Sequence, residues 1–111
     1  MMSKEDTCDK ELLTLSAKAV GYTLEDHYDD DQYYPWCVTT DAFWNPLLDD
    51  GDALRLAAKL GLELRMSSEF VIVVIPRYTD NEAFEPKNDD PYAATRRAIV
   101  RAAAEIGREM E

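Results

Sequence analysis

The chain has few of the residues on which small catalytic and metal-binding proteins depend. Its 111 residues include one histidine, His27, and only two cysteines and four glycines. Without a second His or a CxxC pair there is no zinc or redox motif, and two cysteines are too few for a disulfide scaffold. Nor is there a Gly-x-Ser-x-Gly motif, a Cys–His pair or a phosphate-cradling glycine loop. We therefore expect no enzyme, no cofactor and no metal, and Cys8 and Cys37 as reduced thiols.

Long hydrophobic runs are missing as well. The longest one, residues 70–75, has the length of a strand, whereas a membrane-spanning helix needs about 20 apolar residues. The first six residues include three charged ones and lack the apolar core of a signal peptide. These features predict a cytoplasmic protein that does not enter a membrane.

Basic residues are scarce, with 12 Lys and Arg against 23 Asp and Glu, which gives a formal net charge of −11. Reading DNA directly and binding anionic membranes both need a basic surface, so the charge argues against both classes. The 46% content of hydrophobic residues is enough for a folded core. Since the chain has no repeat and no Gly/Ser linker, we expect a single domain over residues 1–111.

Three stretches have the apolar spacing of helices, at residues 6–20, 53–60 and 92–110. Each has suitable capping residues: Asp6 or Thr7 and Gly21 around the first, residues 49–52 and Gly61 around the second, and Asp90 with Pro91 before the third. The buried stripe of the third helix is predicted to contain Tyr92, Thr95, Ile99, Ala102, Ile106 and Met110.

Four strands are predicted between these helices. Aromatic and β-branched residues indicate strands at 33–40 and 43–45, alternation indicates one at 62–66, and the run at 70–75 is apolar on both faces. Residues 67–69 are a plausible hairpin turn, and the acidic segments 22–32 and 79–90 are predicted to be loops. The order is α-ββ-α-ββ-α, an α+β fold with one antiparallel four-stranded sheet and helices on both sides of it.

Several charged groups have ordinary structural interpretations. His27 lies among acids, where a pH-sensing or metal role competes with that of a solvated loop residue. The aspartates at 49–52 lack the alternating spacing and the bidentate Glu of a calcium loop. In the last helix, Arg97, Arg101 and Arg108 share one face, but Glu105 and its neighbours leave the helix almost neutral. Arg101 and Glu105 have the spacing of a helical ion pair, and the arginines could also reach across to the acidic loops.

The remaining signal is the distribution of negative charge. Between Lys18 and Arg55 the chain has nine acidic residues, no Lys or Arg, and several aromatic residues. A domain about 35 Å across would span about 20 phosphates of duplex DNA, so eleven net charges approach that density only when they lie on one face. Such a face could mimic DNA, or the charge could serve solubility alone. The predicted partner-binding residues are Glu25, Asp26, Asp29, Asp30, Asp31, Tyr33, Tyr34, Trp36, Asp41, Asp49, Asp50 and Asp52.

Three stretches of the chain resemble a family of small uncharacterised phage and prophage proteins. The resemblance lies in residues 44–47 (WNPL), 49–57 (DDGDALRLA) and 90–100 (DPYAATRRAIV). It implies a phage or mobile-element origin, hence a bacterial host cell, and a layered fold of helices and sheet. It provides no catalytic residues, and the acidic segments 22–35 and 77–88 lie outside it.

Together these features predict a phage-encoded inhibitor of a host nucleic-acid-binding defence complex, of the anti-CRISPR or anti-restriction type. The protein would bind through a DNA-mimicking surface, with its aromatic residues as anchors and its charge steering the encounter. An alternative is a structural or regulatory accessory protein that acts by self-assembly or by binding a phage partner. A third, a small metal-dependent hydrolase, would bind calcium or magnesium and so be stabilised by it.

Overall fold

The computed structural model describes residues 8–76 and 82–110, which form three helices and eight strands. The helices are α1 (Asp9–Val20), α2 (Asp50–Leu60) and α3 (Pro91–Glu109). The strands are β1 (Leu24–Glu25), β2 (Tyr28–Asp29), β3 (Gln32–Tyr33), β4 (Trp36–Cys37), β5 (Ala42–Phe43), β6 (Glu63–Met66), β7 (Phe70–Val74) and β8 (Glu82–Pro86). The α+β class and the three helices predicted from the sequence are confirmed.

The predicted helix ends are largely confirmed. Gly21 and Gly61 end α1 and α2 in the left-handed conformation, with φ of 76° and 67°, which glycine adopts without a steric penalty. Asp90 caps α3 by accepting hydrogen bonds from the N–H groups of Tyr92 and Ala93. The first helix, however, begins later than predicted, at Asp9 after Cys8, and the two predicted caps lie outside the described residues. In α2 the start moves three residues earlier, because Asp49 accepts a hydrogen bond from the N–H of Asp52.

Helix α3 lies at the centre of the molecule and contacts α1, α2, β7 and β8. Its buried residues are Ala98, Ile99, Val100, Ala102, Ala103, Ala104 and Gly107, which cover most of the circumference and leave one charged face with Arg97, Arg101 and Arg108. A helix with so wide a buried surface is typical of one that packs against several other elements. The predicted stripe is therefore wrong at its ends, since Tyr92 is 70% exposed and Met110 is also exposed.

Gly107 permits an unusually close contact between α1 and α3. A Cβ atom at this position would lie 2.0 Å from the carbonyl oxygen of Leu15, which is part of the backbone. The two helices therefore approach closely here only because residue 107 has no side chain.

The prediction of one four-stranded sheet is wrong. Strands β6, β7 and β8 form an antiparallel sheet with β7 in the middle, β1, β4 and β5 form a second one, and β2 and β3 pair by themselves. The third strand of the first sheet, β8, lies within the segment 79–90 that was predicted as a loop. The predicted strand at 33–40 is divided into β3 and β4, and three short strands lie in or extend into the predicted loop 22–32.

Helices do not cover both faces of the β6–β8 sheet, which is a second correction. Val71, Val73 and Ile75 are buried in the core that includes α3. On the opposite face Phe70 and Phe84 are 38% and 45% exposed, and no other described element packs over them. The run at 70–75 is the central strand, as predicted, but among the described elements helices pack on only one of its faces.

Candidate acidic-aromatic interface

Strands β2 and β3, of two residues each, are joined by a two-residue turn. We call this unit the acidic hairpin (residues 28–33). Its ladder pairs Tyr28 with Tyr33 and Asp29 with Gln32. The turn residues Asp30 and Asp31 have φ of 51° and 67°, as the type I′ turn of a tight hairpin requires. Aspartate is among the few residues other than glycine that tolerate this conformation. Three successive, exposed carboxylates consequently lie at the tip of the hairpin.

The acidic hairpin is joined to α1 by a polar cluster around Lys10. The Lys10 ammonium donates to the Tyr28 hydroxyl at 3.0 Å and lies 3.1 Å from Asp26 Oδ2. The Tyr33 hydroxyl donates to Asp26 Oδ1 at 2.8 Å. These contacts fix the hairpin relative to the helix without extending its two-residue strands.

The Lys10 cluster changes the titration of its members. Hydrogen bonds from Tyr33 and Lys10 lower the pKa of Asp26 below its usual value. Its hydrogen bonds to Tyr28 and Asp26 raise the pKa of Lys10. Burial, together with the hydrogen bond to Asp26, raises the pKa of Tyr33 to about 12. At neutral pH the cluster therefore contains an ammonium, a carboxylate and a neutral phenol, which is the combination its hydrogen bonds need.

Beside the acidic hairpin, one face of the β1–β4–β5 sheet presents an aromatic cluster composed of His27, Trp36 and Phe43. Trp36 and Phe43 are cross-strand partners, and their rings meet edge to face with the ring centroids 4.9 Å apart. The centroid of the His27 imidazole lies 6.2 Å from that of the Phe43 ring. The His27 Nε2 atom is 3.6 Å from a carboxylate oxygen of Glu25. Phe43 is 60% exposed, so the cluster offers an apolar surface next to the carboxylates.

The predicted aromatic anchors are less accessible than two aromatic residues that were not selected. Tyr33, Tyr34 and Trp36 are half-buried, whereas Tyr28 is 59% exposed and Phe43 even more so. Cross-strand pairing determines this outcome: Tyr28 packs on Tyr33 and Phe43 on Trp36, and in each pair the outer ring covers the inner one. Since registers of two-residue strands leave no pattern in the sequence, no signal there would have identified Tyr28 and Phe43.

The segment that lacks basic residues in the sequence does not lack them in space. The guanidinium nitrogen Nη2 of Arg55 lies 2.9 Å from Asp52 Oδ1 and 3.9 Å from Asp49 Oδ2. Arg96 of α3 reaches Asp50 at 2.7 Å and also donates to the carbonyl of Leu47. The Asp49–Asp52 turn is therefore largely neutralised by ion pairs and by helix capping.

The remaining acidic residues of the predicted interface divide into two groups. Asp26 and Glu25 have Lys10 and His27 as neighbours. For Asp29, Asp30, Asp31 and Asp41, no basic group of the described residues lies within 4 Å. The structure thus concentrates the unneutralised charge of this segment on the tip of the acidic hairpin. Asp41 lies in the 38–41 turn, at the opposite end of the strand ladder from that tip.

An open cleft of about 440 Å³ lies between α1, the acidic hairpin and residues 45–48. Asp30 and Asp31 stand on one wall, Asp9 on another, and Leu13 and Leu47 also line it. A cleft with carboxylates and apolar walls fits the aliphatic stem and charged end of a lysine or arginine side chain. Within residues 8–76 and 82–110, no group of three or more metal-ligating side chains is close enough to hold an ion.

The arginines of α3 bind acidic residues of the protein itself. Arg97 donates to Asp9 at 3.1 Å and Arg101 to Glu85 at 2.5 Å. The predicted i,i+4 pair of Arg101 with Glu105 does not form, because Glu105 pairs with Arg108. The hypothesis that these arginines reach across to the acidic segments is thereby confirmed for Arg101, whose partner lies in the segment 79–90.

The two acidic segments are separated by one of these arginines. Arg97 lines a shallow cleft beside residues 87–90 and also binds Asp9, which lines the cleft of the acidic hairpin. Among the described residues, this ion pair therefore borders both the cleft of the acidic hairpin and the cleft beside residues 87–90.

No protein-family model matches the chain, and neither its sequence nor its fold is significantly similar to a curated protein or to a solved structure. None of the described helices is both long and apolar enough to cross a membrane. The two cysteines are free, Cys8 exposed and Cys37 buried.

Proposed function

We propose that the protein is a phage or prophage inhibitor that places its acidic hairpin and aromatic cluster in a basic nucleic-acid groove of a host defence complex. The observation that carries the proposal is the concentration of unneutralised carboxylates on a hairpin tip fixed to α1 by Lys10. A rigid tip retains its charges in one arrangement, so binding does not require the ordering of a flexible loop.

The mimicry is local and does not extend over the whole molecule. The protein measures 34 × 33 × 26 Å, a length over which duplex DNA carries about 20 phosphates. Most of the other acids of the 22–52 segment have basic partners within the chain. The acidic hairpin would therefore replace a few consecutive phosphates of the nucleic acid, while Tyr28 and Phe43 supply apolar contact area.

The nature of the partner follows from the same chemistry. The cleft beside the hairpin fits lysine or arginine side chains, which line the grooves of nucleic-acid-binding proteins. The resemblance of residues 44–57 and 90–100 to phage proteins supports a bacterial defence complex as the partner that contains such a groove. No catalytic step, cofactor, membrane or direct contact with nucleic acid is part of the proposal.

The decisive experiment uses a variant that removes charge while improving the turn. Asn-Gly is the preferred sequence of a type I′ turn, so Asp30→Asn with Asp31→Gly should preserve or raise stability. In bacteria with an active CRISPR or restriction system, the wild-type chain should increase the plaque count of a sensitive phage, and the double variant should lose this effect. Binding to the purified effector should weaken by about tenfold or more, because each lost charge-assisted contact is worth roughly 1.5–3 kcal/mol.

The matched control removes two charges elsewhere, by Glu69→Gln with Glu109→Gln. Both residues are exposed and lie outside the proposed interface. This control should inhibit as the wild type does, and for both proteins the binding should weaken steeply as salt rises. Equal inhibition by the turn variant and the wild type, or no inhibition by either in any such strain, would refute the proposal.

A further inference from the structure

The two outer strands of the β6–β8 sheet differ in how their free edges are protected. On β8, the hydrogen bond from the Lys87 N–H to the Glu69 carbonyl fixes which residues bond to β7, and the backbone groups of Phe84 point outward. The Phe84 carbonyl accepts a hydrogen bond from Arg101 Nη1 at 3.0 Å. Pro86, two residues further along, has no N–H to offer. An arginine and a proline thus block this edge against an additional strand.

Strand β6 lacks such protection among the described residues. The Ser67 N–H donates to the Phe70 carbonyl at 3.0 Å, in the register of the ladder between β6 and β7. Because bonded pairs alternate in an antiparallel ladder, the N–H and C=O groups of Leu64 and Met66 point away from β7. Within residues 8–76 and 82–110, no backbone group from another element pairs with them. An edge with unpaired backbone groups is a template for a further strand.

An apolar cleft of about 220 Å³ borders this open edge. Leu64 and Met66 line the cleft together with Leu54 of α2 and with Tyr92 and Ile99 of α3. Leu54, Met66 and Tyr92 are 65%, 55% and 70% exposed. Exposed apolar side chains that are grouped in one place mark an interaction surface, whereas scattered ones do not. A strand added to β6 would therefore gain apolar contacts as well as backbone hydrogen bonds.

The charges on β6 indicate that the added strand is β6 of a second copy. When two antiparallel β6 strands meet with Leu64 opposite Leu64, Glu63 of each copy lies opposite Arg65 of the other. The neighbouring registers that also bring outward backbone groups together place Glu63 opposite Glu63, or Arg65 opposite Arg65. Opposite charges stabilise a cross-strand pair, and like charges destabilise it. The strand is therefore complementary to itself in the Leu64-centred register.

Backbone and side chains agree in this register. The two Leu64 residues exchange a pair of hydrogen bonds, and the Met66 N–H of each copy lies opposite the Leu62 carbonyl of the other. Glu63 and Arg65 then occupy non-hydrogen-bonded positions, where cross-strand side chains are closest. Within one copy their charged atoms are 3.3 Å apart and both side chains are more than half exposed. The five N–H donors of a guanidinium allow it to bind a second carboxylate while it keeps the first.

We propose that the protein forms a weak homodimer in which two β6 strands pair antiparallel about a two-fold axis at Leu64, so that the two β6–β8 sheets become one sheet of six strands. The open edge is four residues long, about 13 Å, and so short an interface gives a transient association. Because each copy carries a formal charge of −11, salt screens the repulsion between the copies and strengthens the dimer. The acidic hairpin takes no part, and its binding to a basic groove has the opposite salt dependence.

Sedimentation velocity from about 10 µM to about 1 mM protein, at low and high salt, tests the dimer. The sedimentation coefficient should rise with concentration, and more so at high salt. Arg65→Glu should weaken association by about tenfold or more, because it turns two attractive cross-strand pairs into repulsive ones. Arg108→Glu is the matched control, since it makes the same charge change at an exposed residue at the opposite end of α3 from the cleft. It should dimerise as the wild type does.

Mixing two variants tests the register and is independent of how each substitution affects the monomer. Glu63→Arg should also weaken self-association, because it places arginines opposite each other. An equimolar mixture of Arg65→Glu and Glu63→Arg should associate more strongly than either variant alone, since every cross-strand pair then joins Glu to Arg. A monomer at all concentrations and salts, a dimer that Arg65→Glu leaves intact, or a mixture that associates no better than its components overturns the proposal.

Discussion

The acidic region (residues 22–49) and the β6–β8 sheet (residues 63–86) are held in shape by different forces. The acidic region has five strands of two residues each and three aspartates with positive φ, so its backbone forms few ladder bonds. Side-chain contacts compensate, among them Lys10 with Asp26 and the rings of Tyr22 and Trp44 at 5.7 Å. The sheet has strands of four and five residues and an apolar inner face.

This difference shows where a small protein can place unneutralised charge. Backbone ladders and apolar packing are insensitive to pH, whereas ion pairs and charged hydrogen bonds depend on it. The unneutralised carboxylates therefore lie in the acidic region, which is the region whose structure depends on pH and salt. The sheet, by contrast, has its only well-buried ionic contact at Arg101 and Glu85 among the described residues.

The largest effect on the free energy of unfolding is expected at the contact between α1 and α3, because the acidic region packs against α1 and the β6–β8 sheet packs against α3. Gly107→Ala places a methyl group against the backbone of Leu15, and forcing α1 and α3 apart should cost about 3 kcal/mol or more of unfolding free energy. Gly51→Ala is the control, because the atoms nearest to its Cβ belong to the side chains of Arg55 and Asp49 and not to the backbone. Chemical denaturation followed by tryptophan fluorescence, which reports on Trp36 and Trp44, and by circular dichroism should show one common, shifted transition. A shift in only one of the two signals would show that the two regions do not both depend on the contact between α1 and α3.

The next largest loss of stability is expected from removing the ion pair between α3 and the β6–β8 sheet. Arg101→Met leaves the Glu85 carboxylate, which is only 6% exposed, without its guanidinium, and we expect a loss of about 2 kcal/mol in the free energy of unfolding. Arg97→Met removes an arginine one turn away whose partner Asp9 is largely exposed, and this should cost less than about 1 kcal/mol. Urea denaturation of both variants measures the difference. Equal costs would mean that the burial of Glu85 does not set the strength of the pair.

A smaller, local effect is expected from pH in the acidic region. Because its pKa is lower in the folded state, Asp26 stabilises the fold above its usual pKa and loses this contribution as pH falls through the lowered value. Tyr33, whose pKa is raised to about 12, stabilises the fold below the usual tyrosine pKa and loses its contribution as pH rises towards 12. Nuclear magnetic resonance at acid pH should show the acidic hairpin changing before the sheet does.

The link between these two groups has its own test. Asp26→Asn removes a carboxylate that raises the pKa of Tyr33, so the phenol should ionise below pH 12 in this variant. Ultraviolet titration, with Tyr33→Phe as the reference that identifies the signal, measures the shift. An unchanged midpoint would show that burial alone sets the pKa of Tyr33.

The smallest effect should come from divalent cations. No described group of three or more ligands could hold an ion, so calcium and magnesium should leave the melting temperature unchanged apart from general screening. Potassium chloride of equal ionic strength is the control. A rise specific to either divalent ion would support the metal-dependent alternative.

Much of the fold was predictable because it depends on neighbours in the sequence. Gly21, Gly61 and the Asp90–Pro91 pair determine helix ends through groups two to four residues apart. Strand β8 was missed because five acidic residues and a single Lys made the segment 79–90 look like a solvated loop. One of these acids, Glu85, is buried and accepts a hydrogen bond from Arg101 of another element. The acidic hairpin was missed because aspartates disfavour strands, although they tolerate the positive φ of its turn.

The net charge, the three helices with most of their ends, and the apolar character of both faces of β7 follow from the order of the residues alone. Which carboxylates are neutralised, and which face of β7 packs against the other described elements, depends on how the elements come together. The two kinds of feature differ in distance along the chain: a helix cap involves residues within one turn, whereas Arg96 and Asp50 are 46 residues apart and meet only after α2 and α3 pack. Charge is thus a property of the composition, but a charged surface is a property of the fold.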